Sequence, residues 1–411
     1  MRFALFGDHP DGFDMARALV ASGRHELATY TGPPAGAEVL ARWGLVVRRI
    51  RDVEEILADP SIEAIIVASP FADRPAHLRR ALQSERHVLC VHPADQTPDS
   101  AYEAALIQGD TRCVLLPLLT ECLHPAFHRL AELLAATEGP IGTLQFLQME
   151  RGSADAVLIA SGGRGPKASL LGWDVLRTLG GELAEVFAFA VSDELNPDQP
   201  LLLAGRFEQQ ALFQATYLPG SNVIPWHLEL VGMLGRAELT FPQGWPGPAC
   251  LRWQDQAGQA CDEQWDTWNP WPTLVTIFEE AVAQSSRRTN PGSALGRQGR
   301  VRGLTWQTAV RCLELDDAAR RSIERRRVST LEYPEASEEV GFKGTMTLVG
   351  CGLLWVSLLL LILSAWVGWI KWAIVPLLVV FLGLQLLRWM VPGSRESRTE
   401  NIQADHQRLG G

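Results

Sequence analysis

Short apolar runs and amphipathic stretches alternate through the first 120 residues of this chain. "RFALF", "HELATY", "LVVR", "EAIIVA", "HVLC" and "CVLLPL" are compact and mostly apolar, the pattern of strands buried on both faces of a parallel sheet. The segments between them have helical spacing. In "DGFDMARALVAS", Phe13, Ala16, Leu19 and Val20 share one face; in "RPAHLRRALQS", Leu78 and Leu82 do, with Arg79 and Arg80 outside. "PDSAYEAALIQG" ends in a glycine suited to a helix C-terminus. Alternation at this rate predicts an α/β domain over residues 1–120, built on a doubly wound parallel sheet.

After Pro125 the pattern changes. One amphipathic helix, "AFHRLAELLAAT", leads through "EGPIG" into the strand "TLQFLQME". From Ala184 onward, longer runs with partial period-two alternation dominate: "EVFAFAV", "PLLLAGRF", "QALFQATYL", "HLELVGM" and "RAELTF". They predict an α+β domain over residues 121–328 with an open, mostly antiparallel sheet. "WPTLVTIFEEAVAQS" and "LTWQTAVRCLELDDAARRSI" are its closing helices. The polar, Glu-rich stretch at 329–345 reads as a linker.

Two apolar segments follow, Met346 to Gly368 without a charge and Ala373 to Val391 with Arg388 near its end, separated by "WIKW". The first would span about 34 Å as a helix. Together they predict a transmembrane helical hairpin over 346–391, with a polar tail at 392–411. Arginines and a lysine precede the first span and follow the second, while Lys371 alone lies between them. The positive-inside rule therefore predicts a multi-pass membrane protein, in contact with the lipid bilayer, with its soluble domains in the cytoplasm.

Composition narrows the rest. A hydrophobic content of 47% with 20% charged residues predicts a sizeable core. A net charge of -10 argues against a nucleic-acid partner, because a phosphate backbone needs a basic face. Seven scattered cysteines without a CxxC pair read as reduced thiols.

Candidate chemistry clusters at strand ends. "FGDHPDG" follows the first strand and opens the first helix, with Gly7 and Gly12 at the outer positions of a GxGxxG loop and His9 at the middle one. A glycine there lets the backbone approach a pyrophosphate, so His9 crowds a dinucleotide. The second strand ends in "ATYTGPP", without an acid for a ribose hydroxyl or a base for a 2'-phosphate. A Rossmann-like shell thus stands beside altered cofactor contacts, and both NAD(P) binding and an altered crevice remain open. In "CVHPADQTP" the ionisable His92 precedes Pro93. His124 and His128 lie one helical turn apart with Glu121 upstream, which is either metal-ligand spacing or an ordinary helix start. The tryptophans between Gly244 and Trp271 either stack on sugars or pack loops onto the sheet. The basic run Arg320 to Arg327 reads as a headgroup contact or a solvated helix end.

"SIEAIIVASPFADRPAHLRRALQSERHVLCVHP", Ser61 to Pro93, resembles the Gfo/Idh/MocA oxidoreductases, in which a strand ends in Ala-Thr-Pro and a later one reads "GKHVLCEKP". "LHPAF" resembles their Arg-Phe-His-Pro opening of the second domain, and "GPIGTLQFLQME" the Gly-x-Ile-Gly strand. "GGRGPKASLLGWDVLRTLGGE" resembles their Gly-Gly-Gly-x-Leu-x-Asp-x-Gly-x-His-x-x-Asp helix, and "HLELVGMLGRAELTF" their Gly-x-x-Gly hairpin. The resemblance spans about Met1 to Arg327. It implies a Rossmann domain with an α/β second domain, and hydride transfer between NAD or NADP and a sugar or polyol hydroxyl. It also implies homo-oligomers formed through the outer face of the second sheet. By position the Glu-Lys-Pro turn falls on Val91, His92 and Pro93. The helix motif falls on Lys167, Ser169, Leu171 and Asp174; "GWD" can also set Asp174 at the histidine position, and neither register restores a histidine. The resemblance thus implies a catalytic set of His92, Lys167 and Asp174, with Gly7, His9, Gly12, Ser69, Pro70 and Pro93 around the cofactor. The alternative is a catalytically inactive binding or scaffolding module that keeps the fold and places it at the membrane.

Overall fold

Strand β1 (Arg2–Gly7) enters the core with five of its six residues buried, and this central strand organises the first sheet. The computed structural model describes residues 1–135, 139–152, 157–160, 167–192, 198–219, 225–287 and 304–331. The sheet continues with β2 (Glu26–Thr31), β3 (Arg48–Arg49), β4 (Ala64–Ala68), β5 (His87–Val91) and β6 (Leu115–Leu118), all parallel, in the order β3-β2-β1-β4-β5-β6. Helices α1 (Pro10–Ala21), α2 (Pro34–Arg42), α3 (Val53–Leu57), α4 (Arg74–Gln83) and α5 (Asp99–Gly109) supply the crossovers. The order reverses at β1/β4, the point where a doubly wound sheet opens a crevice at the carboxyl ends of its strands. The predicted "LVVR" strand shrinks to β3 because Val46 is fully exposed and the pairing begins only at Arg48.

A turn of 3-10 helix at Glu121–Leu123 and helix α6 (Pro125–Leu133) lead into the second sheet. That sheet has nine strands in the order β16-β15-β14-β13-β7-β12-β11-β10-β17. They are β7 (Leu144–Gly152), β10 (Leu183–Ala190), β11 (Leu201–Phe207), β12 (Leu212–Leu218), β13 (Trp226–Gly232), β14 (Gly235–Phe241), β15 (Ala249–Asp255), β16 (Ala260–Trp265) and β17 (Ser329–Thr330). Only β7 and β12 pair in parallel. Two short strands, β8 (Val157–Ala160) and β9 (Lys167–Leu170), pair with each other, and helix α7 (Trp173–Gly180) follows. Helix α8 (Trp271–Arg287) returns to the first sheet, where Phe278 packs on Phe3 and Glu279 pairs with Arg24 and His25. Helix α9 (Trp306–Arg325) touches α5, β6, α7 and β10. Met1–Glu332 is thereby one compact unit.

β15 and β16 were not expected. They come from the tryptophan-rich stretch, where Ala249, Leu251 and Trp253 face inward and Cys250, Arg252 and Gln254 alternate outward. The turn at Gly258, with φ +84°, closes the hairpin. The expected linker also begins as structure, since β17 pairs with β10 at the sheet edge.

The multi-pass membrane placement needs correction. Among the described residues no helix is long and apolar enough to cross a membrane. The most extended one, α9, carries charged residues from Arg311 through Glu314, Asp316 and Arg320 to Arg325, as a helix spanning hydrocarbon cannot. The segments expected as a hairpin, 346–391, lie outside the described residues.

Candidate functional site

Gly7 ends β1 with φ +95°, and a Cβ there would lie 2.2 Å from the Ala68 carbonyl oxygen. Only glycine allows β1 and β4 to approach so closely while the chain turns into α1. Gly12 serves the helix: a Cβ would lie 2.2 Å from Ala68 Cβ, so α1 could not settle on β4. The outer two glycines of the loop therefore do what the motif demands of packing.

The middle position is different. His9 is the N-cap of α1, and its Nδ1 accepts the Asp11 N–H at 3.3 Å. Pro10, the first helical residue, has no N–H to offer. The Gly12 and Phe13 amides both donate to the His9 carbonyl, at 3.0 and 3.2 Å, and the His9 amide donates to Ala68 O at 3.2 Å. A helix N-terminus binds phosphate through free amides; from His9 to Phe13 every amide is already bonded or absent. Charge works in the same direction. Asp8 is exposed at the turn, and Asp11 and Asp14 stand in and beside the first turn of the helix. Burial, then Asp14, push the Asp11 carboxyl up to about 6, so it is mostly ionised at neutral pH. Burial, then Arg74, push His9 down to about 4. The 3.7 Å approach of His9 Nδ1 to Asp11 Oδ2 is therefore no ion pair at neutral pH. The donor set does not fit a pyrophosphate seated at the start of α1.

The ribose end of the crevice holds a residue that sequence reasoning missed. Arg49 comes from β3, not β2, and its Nε donates to Gly32 O at 3.0 Å, directly after β2. A guanidinium beside the end of the second strand is the partner a 2'-phosphate requires.

At the end of β4, Ser69 is buried and its hydroxyl lies 2.6 Å from His77 Nδ1 and 3.3 Å from Phe6 O, tying β4 to α4 and β1. Pro70 is exposed beside it. Arg74, at the start of α4, is only 4% exposed. Its Nε donates to Ser69 O at 3.1 Å and its Nη1 to Pro93 O at 2.6 Å, so it braces the turn after β5. His92, in that turn, is also 4% exposed, and its Nδ1 has no hydrogen-bond partner. Burial, then Arg74, push its pKa down to about 3. The ring is neutral at physiological pH and a weak base, far from the near-neutral pKa that serves a general base.

Asp174 is occupied elsewhere. It sits in the first turn of α7, and its Oδ2 accepts the Cys122 N–H at 3.1 Å. Burial, then Glu121, push its carboxyl up to about 6. Glu121 is held by a buried two-pronged pair with Arg151, at 3.1 and 3.0 Å, and the Arg151 guanidinium lies 4.3 Å over the Trp226 ring. No hydrogen bond or ion pair joins Asp174 to His92 among the described residues. Lys167 is the first residue of β9. Asp316, which the apolar spacing of α9 does not reveal, accepts hydrogen bonds from Trp173 Nε1 at 2.8 Å, from Leu170 N at 3.1 Å and from the Ser169 hydroxyl. It fixes the start of α7.

His124 caps α6, its Nδ1 accepting the Ala126 N–H at 3.1 Å. That puts the proton on Nε2, within a box of Phe127, Phe241, Trp245, Trp265 and Trp268. His128 is exposed. The tryptophans here pack loops around a core histidine.

Residues 13–116 match the family model described as the oxidoreductase family, NAD-binding Rossmann fold (GFO_IDH_MocA). A curated relative, the uncharacterized oxidoreductase YrbE of Bacillus subtilis (strain 168), is 26% identical over 142 residues; the match covers 33% of this chain and 41% of that protein's length. The aldose-aldose oxidoreductase of Caulobacter crescentus, solved with glycerol, superposes with a TM-score of 0.64 at 15% identity, over 80% of this chain and 99% of that one. A 3-ketoreductase of Actinomadura kijaniata, solved with NADP, superposes with a TM-score of 0.60 at 17% identity, over 78% and 97%. The chain thus has the fold of these oxidoreductases, and its residues 13–116 are of the NAD-binding Rossmann type. NAD or NADP, expected from the sequence, is the cofactor class of that fold.

Proposed function

On the premise of this Gfo/Idh/MocA-type oxidoreductase fold, we propose that the chain is a binding module that holds NAD(P) weakly and transfers no hydride. One observation carries the reading: His9 and Pro10 leave no free amide at the start of α1. Lost phosphate contacts of this kind are charge-assisted and each is worth about 1.5–3 kcal/mol. The catalytic positions support it. His92 replaces the lysine that the resemblance implies, and Asp174 is bonded to the Cys122 amide. The crevice itself remains a small-molecule site.

A second reading rests on a different observation. The unpartnered, buried His92 Nδ1 lies at the end of β5, where an oxidoreductase acting on a sugar or polyol hydroxyl would keep its base. Turnover separates the two. The purified chain is incubated with NADH or NADPH and a panel of keto sugars, and with NAD or NADP and the matching sugars and polyols. No change in nicotinamide absorbance supports the binding module. Turnover that disappears in His92→Ala establishes the oxidoreductase. We further propose that the outer face of the nine-stranded sheet, which exposes Phe189, Leu212 and Val231, pairs copies of the chain.

A further inference from the structure

We infer that the turn after β5 is a binding site for a small hydroxycarboxylate, with the carboxylate on Arg74 and the hydroxyl on His92. The inference rests on the reading of the crevice as a binding site without hydride transfer, and names its ligand class.

Two independent features point to it. The first is Arg74, a guanidinium that is 4% exposed and has no carboxylate within ion-pair distance among the described residues. Its bonds run to two carbonyl oxygens, Ser69 O and Pro93 O, through Nε and Nη1, and its Cζ lies 5.5 Å from the centre of the Phe71 ring, a contact that offsets part of the charge but binds no nitrogen. Nη2 has no hydrogen-bond partner among the described residues. Buried charges in folded proteins are paired or coordinated, because an isolated one is costly. The second is His92, equally buried, whose Nδ1 has no partner and whose Nε2 makes no hydrogen bond among the described residues. A neutral imidazole carries one donor and one acceptor. Buried polar atoms are almost always bonded, so each exception asks for a partner.

The two features meet at one place. Arg74 grips the carbonyl of Pro93, the residue next to His92, and both lie at the carboxyl ends of β4 and β5. Ligands of open α/β sheets bind at that edge. The chemistry selects the class. One free guanidinium nitrogen suits a single carboxylate. Asp11 is a neighbouring negative charge that acts on Arg74, which disfavours a dianion such as phosphate. A hydroxyl both donates and accepts, which matches the neutral imidazole. Neither group requires the amides at the start of α1.

Glycolate is the probe, titrated calorimetrically into the full chain without nucleotide, with glycerol and inorganic phosphate as comparators. Saturable glycolate binding is expected, at least about 10-fold tighter than either comparator. Arg74→Gln is expected to weaken it by about 10-fold or more, and His92→Gln by several-fold. Should Arg74→Gln fail to fold, Arg74→Lys and ring NMR of the wild-type chain decide: glycolate must shift the His92 signals and leave those of the exposed His128 in place. Binding no stronger than that of glycerol, or shifts that spare His92, overturns the inference. Because no nucleotide is present, such a failure leaves weak NAD(P) binding standing. Tight NADPH binding would overturn that reading and leave the glycolate result untouched.

Discussion

Replacing His9 by Gly and Pro10 by Ala together reopens the start of α1. In the native chain the Asp11 amide is bonded to His9 Nδ1 at 3.3 Å, and residue 10 offers no amide. The double variant releases the first and creates the second. Two amide bonds to phosphate oxygens are worth about 3–6 kcal/mol together. Ordering a glycine at residue 9 takes back about 0.5–1 kcal/mol, and the remaining charge of Asp11 reduces the gain further. A net gain of about 2–4 kcal/mol corresponds to NADPH binding tightened roughly 30- to 1000-fold. The assay is nicotinamide fluorescence titration of wild type and variant side by side, with a thermal melt of each. Glycine is a tolerable N-cap, so the variant is expected to fold. A folded variant whose NADPH affinity equals that of the wild type would refute the reasoning, because the bonded amides would then not be what weakens the site.

Arg49 beside Gly32 predicts that such binding as there is favours NADPH over NADH by about 5-fold, the worth of one exposed charge pair; Arg49→Ala should erase the difference in the same titration. Asp316→Ala strands Trp173 Nε1, Leu170 N and the Ser169 hydroxyl in the core, and should cost about 3–5 kcal/mol in urea unfolding. His92 titrates near 3 when folded against 6.5 ordinarily, so the stability its neutral ring secures is whole above pH 6.5 and lost as pH falls toward 3. His92→Gln should therefore flatten the acid limb of the stability curve by up to about 4–5 kcal/mol, read from urea unfolding at successive pH values. Asp174 has the opposite sign: its folded pKa of about 6 lies above 3.8, so its contribution is greatest below pH 3.8 and about 3 kcal/mol smaller above pH 6, a slope that Asp174→Asn should remove.

The parallel sheet was legible because its strands are buried on both faces and read as unbroken apolar runs. Strands β10 to β14 were legible through their alternation. β15 and β16 were not, because acids, arginines and glutamines fill their outward positions and leave only Ala249, Leu251 and Trp253 as a signal. At the candidate site, the motif positions pointed to Gly7, Gly12 and His92. They could not show that His9 bonds the Asp11 amide, since that depends on the ring's rotamer at the N-cap. Arg49, Arg74 and Asp316 stayed hidden for a common reason. Each reaches the site across the fold, from a strand or helix whose local pattern looks ordinary.

The most direct measurement is the affinity of the unmodified full chain for NADPH, by nicotinamide fluorescence at equilibrium. A helix start without free amides predicts a dissociation constant in the millimolar range. A micromolar constant would contradict it, showing that the crevice holds the dinucleotide despite the His9 cap and Pro10.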